Sequence, residues 1–268
     1  EGGEFVMRRG CDLAEGQKIG GQGERIGPAK LARLAARGLA ELLIGGEVNA
    51  VTLSTGDELV KPGGKLEPGQ VYESNSTLLG ALLRNCGATA SLEEICRDDR
   101  ESLIDAIERG IKNHFLIVSG GVSVGEHDLV KEALRQVGAE IEIWRVAIKP
   151  GKPFLFGNVG GCFVFGLPGN PVSAFVTFLQ FVRPAILKMM GAANVDLPHV
   201  PARLTLDVAN DGDRPHYIRG KLDDVKFTPI GRQESHALFG LSRSNALLRL
   251  AVRESRKADE IINVQIWD

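Results

Sequence analysis

The sequence predicts an α/β protein with a mostly parallel sheet, followed by a small β-domain. Three observations support this fold class. Apolar runs of strand length alternate with helical patterns of ten or more residues, which is typical of βαβ units. Polar loops, several of them rich in glycine or acidic residues, follow the apolar runs. From Pro198 onward, the chain holds only short alternating runs, which favour an all-β domain.

The composition is that of a folded protein and restricts its partners. The chain has 268 residues, 43% hydrophobic and 25% charged, enough to bury one large core or two to three smaller ones. Its net charge of −2 argues against general affinity for nucleic acid or for an anionic membrane. Four scattered cysteines without C-x-x-C spacing fit a reducing compartment, so we expect a cytoplasmic protein, and they give no zinc or haem signature. The apolar run from Pro171 to Gly191 is interrupted by polar residues and predicts a buried helix, not a membrane span.

Three regions follow one another along the chain. Residues 1–46 contain glycine-rich polar stretches and a helix predicted from about Pro28 to Gly38, since Pro28 suits a first helical turn. Residues 47–191 hold the alternating strands and helices. Residues 192–268 form the β-domain, with runs at Ala202–Val208, Lys226–Pro229, Ala246–Ala251 and Ile261–Ile266.

The first half of the central region predicts two strands and two helices. Val48–Leu53 is the first strand and leads into Ser54-Thr-Gly-Asp-Glu58. Ser74 or Asn75 is expected to cap the following helix. A strand around Ala88–Ile95 ends at Arg97-Asp-Asp99, where Asp99 is well placed to cap the helix Leu103–Gly110.

The second half continues the same pattern. Phe115–Val118 is a strand, and a glycine-rich turn connects it to the helix Leu129–Val137. After the alternating run Glu140–Ile148, two apolar runs separated by Gly-Asn-Val-Gly-Gly predict a hairpin. Leu167-Pro-Gly-Asn-Pro171 then opens a long helix that ends near Gly191.

The turn Ser119-Gly-Gly-Val-Ser-Val-Gly-Glu-His-Asp128 is a candidate anion site. A strand that ends in glycines and leads into a helix N-terminus brings backbone N–H groups close to a phosphate. Acidic residues at such a site would repel the ligand unless a cation lay between them, which points to a metal and a phosphate together. The alternative is a simple connecting turn in which Asp128 only caps the helix.

Acidic and hydroxyl residues occupy several of the loops that follow strands. In an open parallel sheet, these loops share one crevice, and hard oxygen ligands there suit Mg²⁺. The candidate ligands are Thr55, Glu58, Asp98 and Asp128. Each of them taken alone is as well explained as a turn or cap residue, and the neighbouring Asp57 and Asp99 show this ambiguity.

Two further loops offer positive charge and a helix N-terminus. Lys149-Pro-Gly-Lys-Pro153 presents two ammonium groups on a backbone that prolines restrict, although a solvated basic turn explains it equally well. In Leu167-Pro-Gly-Asn-Pro171, Asn170 is a natural N-cap and Pro171 a first helical residue, which leaves helical N–H groups open to an anion. Pro168 and Pro171 shape the backbone there, and the Ser173 hydroxyl could touch a ligand or bond its own backbone.

Other enzyme signatures are missing from the sequence. The serines near His127 lack the G-x-S-x-G elbow of a hydrolase. There is no Walker A sequence, and Gly120 to Gly125 does not have dinucleotide-binding spacing. The five histidines are dispersed, which gives little support to zinc chemistry.

Taken together and in this order, the loop motifs resemble those of the MoeA and gephyrin E-domain family of molybdenum insertases. The resemblance covers nearly the whole chain. It implies a three-layer α/β domain of the molybdopterin-binding (MogA-like) type with a parallel-rich sheet, a C-terminal β-barrel and, in residues 1–46, the remnant of a β-rich domain. In this family, molybdate is inserted into adenylylated molybdopterin and AMP is released with the help of a divalent cation.

The resemblance also implies roles for particular residues. Matching residue by residue gives catalytic positions at Asp12, Glu58, Asp98, Asp128 and Lys149, with Mg²⁺ on Glu58, Asp98 and Asp128. It gives substrate positions at Arg145, Pro168, Pro171, Arg219 and Ser235. The loop analysis adds substrate contacts at Thr55, Gly120, Gly121, Ser123, Gly125, Lys152, Asn170 and Ser173.

The family resemblance leaves alternatives and departures. The chain opens at Glu1-Gly-Gly3 without an initiator Met, and it is shorter than family members, so we expect a piece of a longer protein. The full-length protein is expected to be a homodimeric insertase of adenylyl-molybdopterin and molybdate, whereas this span is expected to bind the nucleotide-pterin ligand with impaired turnover. A non-catalytic gephyrin-like scaffold and a molybdopterin adenylyltransferase-like enzyme remain the alternatives. The adenylyltransferase hypothesis does not predict the two proline-containing loops and the barrel together.

Overall fold

A computed structural model describes residues 6–92, 95–122 and 129–267 of the chain. The helices are α1 (Pro28–Ala35), α2 (Asn75–Asn85), α3 (Arg100–Gly110), α4 (Leu129–Gln136), α5 (Pro171–Thr177), α6 (Arg183–Met189) and α7 (Leu238–Ser242), and a π-helical turn (Phe178–Val182) joins α5 to α6. The strands are β1 (Asn49–Ser54), β2 (Leu59–Val60), β3 (Val71–Tyr72), β4 (Thr89–Leu92), β5 (Phe115–Ser119), β6 (Glu140–Trp144), β7 (Leu155–Val159), β8 (Cys162–Leu167), β9 (His199–Leu204), β10 (Val208–Ala209), β11 (His216–Asp223), β12 (Lys226–Pro229), β13 (Ala246–Leu250), β14 (Ser255–Arg256) and β15 (Ile261–Ile266).

The central sheet is parallel-rich, as the sequence predicts. Its six strands lie in the order β4-β1-β5-β8-β7-β6. The first four are parallel to one another, and β7 runs antiparallel to both β8 and β6, so the predicted hairpin is present as β7 and β8. All five residues of β5 are buried, because helices cover both faces of the sheet.

Alternate residues of β5 enter two separate cores. Phe115 and Ile117 pack with residues of α2 and α5 on one face, while Leu116 and Val118 pack with α3 and α4 on the other. Each such fully buried side chain contributes roughly 1.5–3 kcal/mol relative to an exposed one. The result is the three-layer arrangement that the fold prediction contains.

The helix boundaries follow from local chemistry in some places and not in others. Asp99 caps α3 as predicted, since its carboxylate accepts a hydrogen bond from the Ser102 N–H at 2.9 Å. Asn170 is the N-cap residue of α5 and Pro171 its first residue, as predicted, but the Asn170 side chain makes no cap hydrogen bond and is engaged elsewhere. Within the described residues, Pro171–Met189 is the one helix long and apolar enough to cross a membrane, and 56% of its apolar 18-residue window is buried inside the protein.

The segment before the sheet differs from a β-rich remnant. The described residues 6–48 hold one helix, α1, and no strand. Many glycines and few β-branched residues give this segment little strand propensity.

The C-terminal region is a closed five-stranded barrel in the order β11-β12-β9-β15-β13. Its core is formed by residues such as Leu204, Ile218, Phe227, Leu248 and Val264. The sequence analysis did not predict β11, which carries a buried histidine and a buried arginine among its apolar residues. The arginine, Arg219, lies opposite Leu247 on the face of β11 that packs against the central domain, whereas Ile218 faces the barrel core.

Candidate functional site

Three parallel strands end side by side at one edge of the sheet. Ser54 of β1 is in register with Ser119 of β5, and Ser119 is in register with Leu167 of β8. The loops that follow these strands therefore meet, as the sequence analysis expects. We refer to the loops after β1, β4, β5 and β8 as the carboxyl-edge crevice.

The loops after β1 and β4 are joined by hydrogen bonds. The Gly56 N–H donates to the Cys96 carbonyl at 3.3 Å, and the Thr55 hydroxyl donates to the Asp98 carboxylate. The Asp98 N–H donates to the Asp57 carboxylate at 3.2 Å. Thr55 is buried, whereas Asp57 and Asp98 are exposed. Two predicted site residues, Thr55 and Asp98, are thus in direct contact.

The Glu58 carboxylate lies against Gly56. A Cβ atom added to Gly56 would lie 2.6 Å from the Glu58 Oε2, so the Glu58 carboxylate would have to move if residue 56 carried a side chain. Glu58 is exposed and belongs to the same loop as Thr55. The loop therefore presents a carboxylate at the edge of the sheet.

The donor set at this edge suits Mg²⁺ in its chemistry. Glu58 and Asp98 offer exposed carboxylate oxygens, and Mg²⁺ commonly takes one or two carboxylates together with waters and substrate phosphates. Within residues 6–92, 95–122 and 129–267, no group of three His, Cys, Asp or Glu side chains forms a metal site. The third predicted ligand, Asp128, lies outside the described residues, as do the predicted contacts Ser123 and Gly125.

The glycine turn after β5 approaches its neighbours closely. Gly120 has φ +89°, and a Cβ atom there would lie 2.4 Å from the Thr55 carbonyl oxygen. Gly121 has φ +62°, and its Cβ would collide with Val130 and Thr55. Only glycine fits both positions, because side chains rarely adopt such φ values and have no space here.

One expectation about this turn needs correction. The Gly120 N–H donates to the Leu167 carbonyl at 3.2 Å, because the parallel ladder continues one residue past β5. That N–H is therefore used inside the protein and is not available to a phosphate. The amides of Gly121 and Val122 are the described groups that remain for such a contact.

The basic loop after β6 is attached to the barrel. The Lys149 N–H donates to the Pro215 carbonyl at 2.8 Å, and the Tyr217 N–H donates to the Lys149 carbonyl at 2.7 Å. The side chains of Lys149 and Lys152 are exposed. The Lys149–Pro150 peptide bond is cis. Pairing with β11 thus fixes the loop backbone while both ammonium groups stay accessible.

The barrel also reaches the start of α5. The Asn170 side-chain amide donates to the Ser235 hydroxyl at 3.0 Å, and the Val172 N–H donates to the Ser235 carbonyl at 3.0 Å. The sequence predicts that the N–H groups at the start of α5 are open to an anion. One of them, the Val172 N–H, is already paired within the protein. Pro168 and Ser173 are buried beside this contact. Asn170 and Ser235, both predicted contacts, touch each other.

Arg219 is placed below the loop that carries Ser235. Its side chain is 1% exposed and donates to the Arg232 carbonyl, and its backbone N–H and carbonyl both pair with the Gln233 side chain at 3.0 Å. Burial lowers the pKa of the Arg219 guanidinium. The predicted substrate residue Arg219 therefore supports this loop from the outer face of β11.

Two other predicted residues are Arg145, at the crevice edge of the sheet, and Asp12, in the segment before the sheet. Arg145 follows the end of β6, which lies at the same edge of the sheet, and its guanidinium lies 5.7 Å from the centre of the Trp144 ring. Asp12 pairs with Arg37 at 3.2 Å and is 80% exposed. Within the part of the chain that the structure describes, no hydrogen bond or ion pair joins Asp12 to the crevice loops.

The sequence analysis missed several buried polar residues around the crevice. They are Glu73 and His216, and Asn75 was noted only as a possible cap. Burial, followed by the charges of Lys149 and Arg219, lowers the pKa of His216 to about 4. Nothing in local periodicity distinguishes such residues, because their partners are far away in the sequence.

The fold and the site define a protein of the molybdopterin-binding class. Residues 51–188 match the model of the probable molybdopterin binding domain, and residues 201–267 match the C-terminal region (domain IV) of MoeA. The chain is 35% identical over 280 residues to molybdopterin molybdenumtransferase 2 of Mycobacterium tuberculosis, covering 99% of this chain and 67% of that protein. It is 34% identical to the molybdopterin molybdenumtransferase of Haemophilus influenzae, covering 97% of this chain and 66% of that protein.

Structural similarity agrees with this result. The molybdopterin biosynthesis MoeA protein from Pyrococcus horikosii matches with a TM-score of 0.85 and 29% identity, over 98% of this chain and 65% of that one. The chain belongs to the MoeA family of molybdopterin molybdenumtransferases, a transferase family of molybdenum cofactor biosynthesis. It spans about two thirds of the length of these relatives.

Proposed function

We propose that the protein inserts molybdate into adenylylated molybdopterin, with release of AMP. The observation that carries this proposal is the convergence of the four crevice loops with two contacts from the barrel, at Lys149 and at Ser235. A phosphate ligand and an oxyanion can be bound next to each other where exposed carboxylates, backbone amides and ammonium groups share one edge. An adenylyltransferase of the same α/β fold would not need the barrel contacts.

Each described group has a task in this proposal. The amides of Gly121 and Val122 bind the phosphate part of the substrate, and the exposed ammonium groups of Lys149 and Lys152 attract molybdate. Glu58 and Asp98 would hold Mg²⁺, which when bound neutralises the negative charge of the pyrophosphate. No protein nucleophile is required, because the reaction depends on positioning and charge stabilisation.

The proposal also covers the domain units, the cellular compartment and the oligomeric state. We propose that residues 1–46, 47–191 and 192–268 are the domain units, that the protein works in the cytoplasm and that its full-length form is a homodimer. The family resemblance supports the last two. The roles of Asp12, Asp128 and the other matched residues are proposed on the same ground.

A calorimetric titration of this chain with AMP tests the proposal. We expect heat of binding with AMP and Mg²⁺, a change in that heat when molybdate is added, and at least about tenfold weaker molybdate binding for Lys149→Ala, since a charge-assisted contact to the oxyanion is lost. Lys112→Ala is the matched control, because this exposed lysine precedes β5 at the opposite edge of the sheet. Absence of heat in every combination of AMP, Mg²⁺ and molybdate would contradict the proposal.

A further inference from the structure

The start of α2 carries a buried polar cluster that lies against the carboxyl-edge crevice. Glu73 is 5% exposed, and its carboxylate accepts hydrogen bonds from the Ser54 hydroxyl at 3.0 Å and from the Ser76 N–H at 2.8 Å. Ser54 is the last residue of β1, directly before Thr55. The helix start is therefore tied to the end of the first parallel strand.

Asn75 ties the same helix start to two other crevice loops. Its side chain is 7% exposed, and Nδ2 donates to the Ser119 hydroxyl oxygen at 2.8 Å and to the Gly169 carbonyl oxygen at 2.7 Å. Ser119 ends β5, and Gly169 belongs to the loop between β8 and α5. Both hydrogens of one amide group thus connect loops that are 44 and 94 residues away in the sequence.

The two loops that Asn75 joins also touch each other directly. The Gly120 N–H donates to the Leu167 carbonyl, and a Cβ atom added to Gly169 would lie 3.6 Å from the Gly120 Cα. The glycine turn and the loop before α5 therefore pack backbone against backbone. The amide of Asn75 adds a side-chain link to this backbone hydrogen bond, because it reaches both Ser119 and Gly169.

The other end of the Asn75 amide supports this role. Its Oδ1 is buried and has no hydrogen-bond partner among the described residues. A buried polar atom without a partner costs free energy, and Asn75 is not the N-cap of α2, which is Ser74. The side chain is therefore best explained by the two hydrogen bonds that its Nδ2 donates.

We infer that Asn75 is a positioning residue that holds the glycine turn at residues 119–121 against the loop at residues 167–171. Asn75 acts through the backbone of the turn, whose amides bind the phosphate in the proposed reaction. The expected effect on ligand binding therefore rests on the proposed function. Loss of the two donated hydrogen bonds frees the turn to move away from its ligand-binding position.

Hydrogen exchange of the ligand-free chain and AMP titration with Mg²⁺ test the inference together. In Asn75→Ala, we expect backbone amides in residues 119–122 and 167–170 to exchange about tenfold faster or more, and AMP to bind about tenfold more weakly. Asn75→Asp keeps the shape of the side chain but lacks the donating amide, so it should behave like Asn75→Ala. Normal exchange and binding in Asn75→Asp would mean that shape or capping is what matters, and would overturn the inference.

Asn245→Ala is the matched control. Asn245 also makes two hydrogen bonds, accepting from the Leu222 N–H at 2.7 Å and donating to the Leu222 carbonyl at 3.0 Å, but it lies in the barrel. This variant should lose thermal stability without faster exchange in residues 119–122. If Asn75→Ala does not fold, Ser119→Ala removes one acceptor only and should give a smaller effect in the same direction.

The outcomes separate this inference from the proposed function. If the parent chain binds no AMP, the proposed function fails, and hydrogen exchange alone then decides whether Asn75 holds the turn. If the parent binds AMP and Asn75→Ala has unchanged exchange or unchanged affinity, the positioning role is refuted while the proposed function stands.

Discussion

His216 makes the stability of this protein depend on pH in a way that can be isolated by mutation. The side chain is 6% exposed at the start of β11, where the backbone pairs with the Lys149 loop, and its Nε2 is buried without a hydrogen-bond partner among the described residues. Burial, with the nearby charges of Lys149 and Arg219, lowers the pKa of His216 from 6.5 to about 4. The imidazole is therefore neutral in the folded protein at pH 7.

The sign of the effect follows from the two pKa values. Between about pH 6.5 and pH 4, the unfolded chain binds a proton at this histidine and the folded chain does not. Stability therefore falls as the pH falls through this window. The drop in pKa from 6.5 to about 4 corresponds to roughly 3 kcal/mol over the whole window, of which about 2 kcal/mol is lost between pH 7 and pH 4.5.

Urea unfolding at several pH values measures this contribution. We expect the free energy of unfolding of His216→Gln to fall by about 2 kcal/mol less than that of the parent between pH 7 and pH 4.5, because glutamine does not titrate. His199→Gln, at an exposed position on β9, controls for the replacement of a histidine as such. Lys149→Ala should reduce the parent's pH dependence in part, since it removes the second cause of the lowered pKa.

Two results would refute this reasoning about His216. Equal losses of stability in His216→Gln and the parent across the window would mean that the imidazole titrates alike in the folded and unfolded chains. A parent that becomes more stable as the pH falls, relative to His216→Gln, would mean that the folded protein stabilises the charged imidazole instead.

Two further predictions concern the glycine turn and the core. Gly120→Ala should lose at least about 1 kcal/mol more stability than Gly138→Ala in urea unfolding, and it should bind AMP poorly. Both glycines have positive φ, but only at Gly120 would an added Cβ atom collide with a carbonyl oxygen, that of Thr55. Equal losses would count against a steric requirement for glycine. Phe178→Ala should lose about 3–5 kcal/mol, since this ring is fully buried, whereas Phe239→Ala, 76% exposed, should lose less than about 0.5 kcal/mol; similar losses would mean that Phe178 is not a core residue.

Much of the central domain could be predicted from the sequence because its signals are local. The apolar run Phe115–Val118, the Asp99 cap and the β7–β8 hairpin each depend on residues within a few positions of one another. Parallel strands joined by helices also open their loops on one edge, so the meeting of Ser54 with Ser119 followed from the fold class.

The hydrogen-bond partners within the crevice could not be predicted in the same way. The Asn170 side chain could cap its own helix or bond another element, and a serine 65 residues away in the barrel determines which. The Gly120 N–H could face a ligand or the Leu167 carbonyl, and the continued sheet ladder determines that choice. Local sequence contains neither partner.

The sequence by itself determined the alternation of strands and helices in the central region, the parallel sheet, the β-rich C-terminal region and the set of loops that carry charge, because periodicity and turn chemistry act over a few residues. Only the tertiary structure decided which polar groups are buried and with whom they pair. The amide of Asn75 between Ser119 and Gly169, and the imidazole of His216 beside Lys149, acquire their roles from burial by distant segments. A buried polar group must be satisfied by whatever the fold brings near it, and that is a property of the packed chain.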